Sequence, residues 1–530
     1  MTRINSRSSL VAILVAGGLL AGCGTNPVTG KREIQFVSQG QEVQMGQQNY
    51  APMRQSEGGD YEVLPGLTAY VNEVGQKLAA VSDRITVAER KLPYEFKVLN
   101  SSVPNAWALP GGKIAVNRGL LTELNSEAEL AAVLGHEIVH AAARHGAQAQ
   151  ERGTLLQGGM VLAQLGVAMG GVDEQVGNLV LAGSGVGAQL VTMRYGRDAE
   201  LQADLYGTRL MKAAGYDPAA AITLQETFVR LSEGRKQNWL QGLFASHPPS
   251  GERVAKNRET VAALGAGGDV GVERYTARIA SLKQLKPGYD KYDQALAAMQ
   301  KKDVAGAKAL AAEAVRLVPR EGQFHQLQGD IALNEKRYQE SLPYYQRAME
   351  LNPGYFGSWL GAGVAQYRLG NRQQARQWLT RSMELLPTAP ASLYLGNMAR
   401  DSGDVNGALK FYQNAASSQS SVGQEAMREA VLLDLPRNPS NYVAGAVQAG
   451  SDGKAMLVVQ NRAPMALASI VVTPVMVNAS GQVASQGRSV TIGGPLPAGQ
   501  RAVVDGGLGS LTAEQLRTVR VRVDSARVAQ

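Results

Sequence analysis

Apolar and polar residues follow different periods along this chain, and the changes of period divide it. Arg3 and Arg7 lead into an apolar run from Leu10 to Ala21, too short to span a bilayer and shaped like a signal peptide. Helical spacing then recurs at 41–48, 67–81 and 125–146, while 95–99 and 113–116 read as short strands. Residues 155–187 are apolar but interrupted by Gly and Gln. They suit a helical hairpin over a cleft, or buried packing within the domain, rather than a membrane span. The stretch 266–271 is a glycine-rich break. Beyond the polar run 417–421 the period falls to two, with strands expected at 454–460, 469–477, 488–492 and 518–523. Asn478-Ala479-Ser480-Gly481 is the hairpin turn among them.

Between the two breaks the pattern repeats. A spacing of 34 residues relates Pro319, Pro353 and Pro387; Ala314, Ala348 and Ser382; and Ala307, Ser341 and Ala375. That is the tetratricopeptide period, in which small residues let paired helices approach closely. Two repeats are clear, at 320–353 and 354–387; one precedes them, and a degraded one runs through 404–416. Such arrays form a superhelix whose concave groove suits extended segments or partner proteins. At 530 residues the chain exceeds one core. The expected organisation is a signal peptide at 1–22, a mainly α, α+β domain at 23–270, a linker at 271–286, an α-helical tetratricopeptide superhelix at 287–417 and a small antiparallel β-sandwich at 435–530. On that division, deleting 287–417 should leave the first domain's chemistry intact.

The chemistry concentrates in 125–146. Ser126 and Glu129 make an S-x-x-E start signal, and Gly146 is the expected helix end. Inside lies His136-Glu137-Ile138-Val139-His140, whose two imidazoles, four residues apart, share one helix face and can meet one Zn²⁺. Glu137 then sits beside the metal as a proton acceptor for water. With five histidines in the chain, a chance H-E-x-x-H is on the order of one in four hundred. His145, nine residues past His136, falls about half a turn out of phase on a continuing helix and is left out of the site. A gluzincin-type site needs a third ligand. In Arg197-Asp198-Ala199-Glu200-Leu201-Gln202-Ala203-Asp204, Glu200 and Asp204 share a face, one to bind metal and one to orient a ligand histidine. Ser246-His247-Pro248-Pro249 places another histidine near the end of this domain.

Cys23 is the only cysteine, so no disulfide forms within the chain, and Leu20-Ala21-Gly22-Cys23 resembles a bacterial lipobox in which the cysteine receives lipid. Gly24, where aspartate would retain a lipoprotein at the inner membrane, implies sorting to the outer membrane of a Gram-negative cell. The net charge of +8 is spread without a Lys/Arg block, so nucleic acid is not an expected partner.

Asn105-Ala106-Trp107-Ala108-Leu109-Pro110-Gly111-Gly112, then HEIVH, RDAELQAD and SHPPSGER, stand in the order of the HtpX and CAAX-prenyl-protease family of zinc metallopeptidases, which the chain resembles. With the repeats included, it is most similar to the periplasmic β-barrel assembly-enhancing protease group, over 26–415. The resemblance implies an endopeptidase with one Zn²⁺ per chain, held by His136, His140 and Glu200, with Glu137 as general base and Asp204 behind a ligand. It implies that Lys113, Ile114, Ala115 and Val116 form the edge strand beside the zinc helix and pair with extended substrate. In the family the histidine matching His247 lies near the metal, where it is either a latch in the fourth zinc position or a donor to the oxyanion. The implied substrates are misfolded or stalled outer-membrane proteins, with the assembly machinery as a partner of the repeats. The implied location is the periplasmic face of the outer membrane, held by lipid on Cys23, or else the soluble periplasm. The alternative function is a chaperone-like assembly scaffold with only occasional proteolysis.

Overall fold

The computed structural model describes residues 23–87, 90–152, 195–234, 247–450, 453–478 and 480–529. The expected signal peptide at 1–22, the apolar hairpin at 155–187 and Ser246 lie outside these residues. The chain divides into two units, Met1–Gly361 and Ala362–Gln530.

In the first unit a helix at Glu127–Ala142, the motif helix, has every residue buried. Ser126 caps it by accepting from the Glu129 amide at 3.1 Å, while the Glu129 carboxylate reaches past the cap to the Asn125 amide at 2.7 Å. The helix closes at Ala142, four residues short of the expected end. Arg144 takes a left-handed φ of 63°, and its guanidinium is locked to Glu42 in a buried ion pair that Arg90 completes. A second helix, Arg197–Ala213, crosses the motif helix where Gly135 meets Gly207. A Cβ on Gly207 would stand 3.0 Å from the His136 amide nitrogen, so any larger residue would push the two helices apart by a few tenths of an ångström.

Beside the motif helix lies a three-stranded sheet of β3 (Glu95–Leu99), β4 (Ala106–Leu109) and β5 (Lys113–Asn117), preceded in the chain by the hairpin β1 (Cys23–Thr25) and β2 (Arg32–Ile34). Its order is β3-β5-β4, with β5 parallel to β3 and antiparallel to β4. The edge role expected for Lys113, Ile114, Ala115 and Val116 is therefore corrected. Their strand is central, hydrogen-bonded on both sides and buried throughout. A continuous apolar run does not separate a central strand from an edge, since the edge strand Ala106–Leu109 is likewise buried throughout. Among the described residues the sheet edge against the motif helix is β4.

The linker expected at 271–286 is also corrected, because one helix runs from Val272 to Gln300 through Pro287. Its Tyr275, Ile279, Leu282 and Tyr289 join the same apolar cluster as the motif helix, and so do Val318 and Phe324 of the first repeats. Polar contacts reinforce this seam: Tyr289 donates to Glu321 at 2.7 Å, and Asn100 donates to the other Glu321 oxygen at 3.0 Å. Repeat helices follow at Val304–Leu317, Gly322–Asn334 and Tyr338–Leu351. Phe356–Arg368 runs through the division between the units. In the second unit come Arg372–Leu385, Ala389–Asp401, Val405–Ala416 and an unforeseen helix, Ser421–Asp434. Ala307, Ala314, Ser341, Ala348, Ala375 and Ser382 all have no exposure, as the 34-residue spacing of small residues requires.

The chain then builds two antiparallel sheets from β6 (Val443–Ala449), β7 (Lys454–Asn461), β8 (Leu467–Val477), β9 (Val483–Gln486), β10 (Val490–Ile492), β11 (Arg501–Ser510) and β12 (Val519–Val528). One has the order β11-β7-β6; in the other β8 lies between β10 and β12 and also pairs with β9. Neither closes into a barrel. The Asn478 side chain organises the β8–β9 turn, accepting from the Ser480 and Gln482 amides. The sequence pattern misses β6, β9 and β11, whose Gly, Ala and Ser residues carry little strand signal.

Candidate metal centre

The motif helix places His136 and His140 one turn apart, and the Gly135–Gly207 crossing brings Glu200 to them from the second helix. His136 Nε2 lies 3.0 Å from His140 Nε2 and 3.5 Å from Glu200 Oε2; His140 Nε2 lies 3.4 Å from Glu200 Oε1. His247 comes from the other side, Nδ1 at 3.0 Å from Glu200 Oε1 and 3.3 Å from His136 Nε2. One donor atom from each of the four lies within 4.8 Å of the others. All are nearly sealed from solvent, His140 at 1% and Glu200 at 2% exposure.

This donor set suits a divalent cation. His136 Nδ1 faces the Asp204 carboxylate at 3.0 Å and so carries a proton there; once His136 is neutral, its lone pair lies on Nε2. Two or three imidazole nitrogens and a carboxylate then converge, and beside them Glu137 Oε2 and His247 Nε2 are buried without a hydrogen-bond partner among the described residues. Such a cluster of bare acceptors is costly unless a cation joins it. Three nitrogens or oxygens plus a fourth position match the preference of zinc.

The electrostatics agree. Burial disfavours charge on Glu200, but His247, His136 and His140 outweigh it and hold the carboxylate ionised, far below its usual range. Burial, helped by the neighbouring His136 and His145, outweighs Glu200 and drives His140 well down, keeping it a neutral base able to ligate. For His136 burial also pushes downward, yet Asp204 and Glu200 lift it to about 10, so a cation bound at Nε2 must displace the proton there. Burial raises Glu137 above the ordinary carboxylate range, as suits a group that takes and returns protons.

Further residues hold these in place. The Arg253 guanidinium grips both Asp204 oxygens at 2.7 Å, lies 2.9 Å from Glu200 Oε2 and donates to the Pro248 carbonyl at 3.3 Å. It thereby ties the ligand helix to the loop bearing His247. Tyr195 stacks on His140 with ring centroids 4.0 Å apart. His145 Nδ1 lies 2.8 Å from His140 Nδ1, and its Nε2 is 3.0 Å from Gln202 Oε1. Excluding His145 by helical phase fails because the helix has already ended and Arg144 turns the chain back. Arg253 is the Arg of the SHPPSGER motif, but only the fold shows what it grips. Lys113 stands apart from this cluster, paired with Glu95 at 3.0 Å. A small pocket opens beside Glu137, its wall made apolar by Val133, Met211, Leu224 and Phe228.

Comparison with known proteins places this arrangement. The profile of peptidase family M48 matches residues 65–261, and two tetratricopeptide repeat profiles match 292–356 and 332–394. The mitochondrial metalloendopeptidase OMA1 of Schizosaccharomyces pombe is 33% identical over 257 residues, 46% of this chain and 71% of that one. The metalloprotease YcaL of Escherichia coli is 31% identical over 192 residues, 36% of this chain and 71% of its own. The beta-barrel assembly-enhancing protease of Escherichia coli is 29% identical over 265 residues, 48% of this chain and 52% of its own. The chain thus matches about half the length of that relative.

Proposed function

We propose, since the chain belongs to peptidase family M48, that it is a zinc-dependent endopeptidase of the bacterial cell envelope. The observation that carries this reading is the meeting of His136 Nε2, His140 Nε2 and the Glu200 carboxylate within 3.5 Å. Those three side chains would hold one Zn²⁺ per chain. When bound, zinc supplies a Lewis acid that polarises a peptide carbonyl and makes water easier to deprotonate. Glu137 accepts that proton on its carboxylate and returns it to the leaving amine nitrogen. Asp204 fixes the His136 ring through Nδ1. Extended substrate pairs along β4 rather than β5, since only β4 keeps an edge toward the motif helix among the described residues. Purified protein should contain zinc in equimolar amount and cleave casein; chelation should abolish cleavage and added zinc restore it. Zinc-loaded protein that leaves casein intact would overturn the reading.

The substrates in this reading are misfolded or stalled outer-membrane proteins, gripped partly by the repeats, whose removal supports assembly of the rest. Kinship with the beta-barrel assembly-enhancing proteases supports that choice. The fusion of the repeats to the peptidase core favours a second reading, a chaperone-like scaffold that cleaves only occasionally. The two sheets after the repeats share one apolar cluster, which supports a β-sandwich.

Lipid on Cys23 would anchor the protein to the periplasmic face of the outer membrane. No helix among the described residues is long and apolar enough to cross a membrane. Cys23→Ala should move the protein to the soluble fraction, and mass spectrometry of the mature N-terminus should find acyl chains only on the parent. An unmodified parent Cys23 removes the anchor.

His247 is assigned as a latch. Its Nδ1 points into the donor set, 3.0 Å from Glu200, the position of a fourth ligand that excludes water. His247→Ala should therefore raise basal cleavage of unfolded protein or provoke self-cleavage. A fall of about a hundredfold or more would make it an oxyanion donor instead. No change would leave it a structural residue.

A further inference from the structure

A ligand histidine works only if its metal-facing nitrogen is bare, and that is decided at the other nitrogen. The two motif histidines solve this differently. His136 Nδ1 faces a carboxylate, Asp204, at 3.0 Å. His140 Nδ1 faces a second imidazole, His145 Nδ1, at 2.8 Å, and His145 Nε2 faces the Gln202 amide oxygen at 3.0 Å. His145 is 4% exposed and His140 1%, so the contact between the two rings is buried.

The polarity of this chain follows from its end. Gln202 presents its oxygen, which can only accept, so His145 Nε2 carries a proton and donates. A neutral His145 then has a lone pair at Nδ1 and accepts from His140 Nδ1–H. That leaves the lone pair of His140 on Nε2, the nitrogen 3.0 Å from His136 Nε2 and 3.4 Å from Glu200. Reversing the chain would place a proton on His140 Nε2, where it blocks coordination. We propose that His145, oriented by Gln202, is a positioning residue that holds His140 in its metal-binding tautomer. The proposal rests on the zinc reading above.

The fold explains why His145 can do this. Arg144, held in its left-handed conformation by the buried Glu42, brings the next residue back beneath the last turn of the motif helix. Gln202 sits two residues after Glu200, so the helix that supplies the third ligand also supplies the end of this chain.

The test is zinc affinity, measured on the metal-stripped full chain by competition with a chromogenic chelator. His145→Leu should bind zinc about 10- to 100-fold more weakly. His145→Asn, whose amide oxygen can occupy the place of Nδ1, should recover most of that loss. Zinc binding by His145→Leu equal to the parent's overturns the proposal, as does an Asn variant no better than Leu. If His145→Leu fails to fold, Gln202→Leu replaces it. That variant should weaken zinc binding in the same direction, and parental affinity in it would be equally decisive against the proposal. A parent chain that takes up no zinc removes the endopeptidase reading itself, an outcome separate from loss of the role of His145 alone.

Discussion

Glu137→Gln lowers peptide hydrolysis by about a hundred- to ten-thousand-fold, the range for losing a general base. Zinc content and fold are expected to survive. The substitution keeps shape and volume, and Glu137 lies outside the set of four residues with converging donor atoms. Only the capacity to take a proton is lost. Glu137 is 2% exposed, and its Oε2 has no hydrogen-bond partner among the described residues, so that oxygen is left to meet a substrate-side proton. Burial raises its affinity for that proton, which favours taking it from water. Turnover of a fluorogenic peptide, zinc by atomic absorption and a thermal melt on the same preparation separate the possibilities. Retained turnover places the base elsewhere. Lost zinc would mean that Glu137 helps to hold the metal.

The second large effect is on stability, and it reverses an expectation from the repeats. Their period invites the view that 287–417 can be removed without harm. Phe324, in the first repeats, has no exposure and belongs to the cluster that contains Leu134 and Ile138 of the motif helix. Its ring meets Tyr289 at 5.1 Å and Tyr292 at 5.0 Å between centroids. Phe324→Ala should therefore cost about 3–5 kcal/mol, and the loss should appear in the peptidase. Deleting 287–417 should do worse, because Tyr61 and Asn100 also lose their buried partners Tyr289 and Glu321. Denaturant unfolding followed by zinc release reports on the metal centre directly. If zinc release is unmoved in Phe324→Ala, the two parts are independent after all.

The local features were legible in the sequence because each depends on neighbours along the chain. H-E-x-x-H puts two imidazoles on one helix face whatever surrounds the helix. The 34-residue spacing of Ala307, Ser341 and Ala375 marks buried helix contacts because a repeat sees chiefly the next repeat. Glu200 and Asp204 could be paired by spacing alone, and Asn478 to Gly481 carries its own turn chemistry.

What depended on residues far apart was settled only in three dimensions. An apolar run such as Lys113–Asn117 does not say whether one or two strands flank it, and here two do. A glycine-rich break suggested a linker, yet the apolar face of Val272–Gln300 found a place in the peptidase core, and burial outweighed the break. His145 looked out of phase because phase assumes a continuing helix. The ion pair between Glu42 and Arg144, 102 residues apart, anchors the turn that ends this helix. Patterns along the chain report short-range geometry. Long-range pairing of buried charge and apolar surface decides where each helix stops and what its last residues touch.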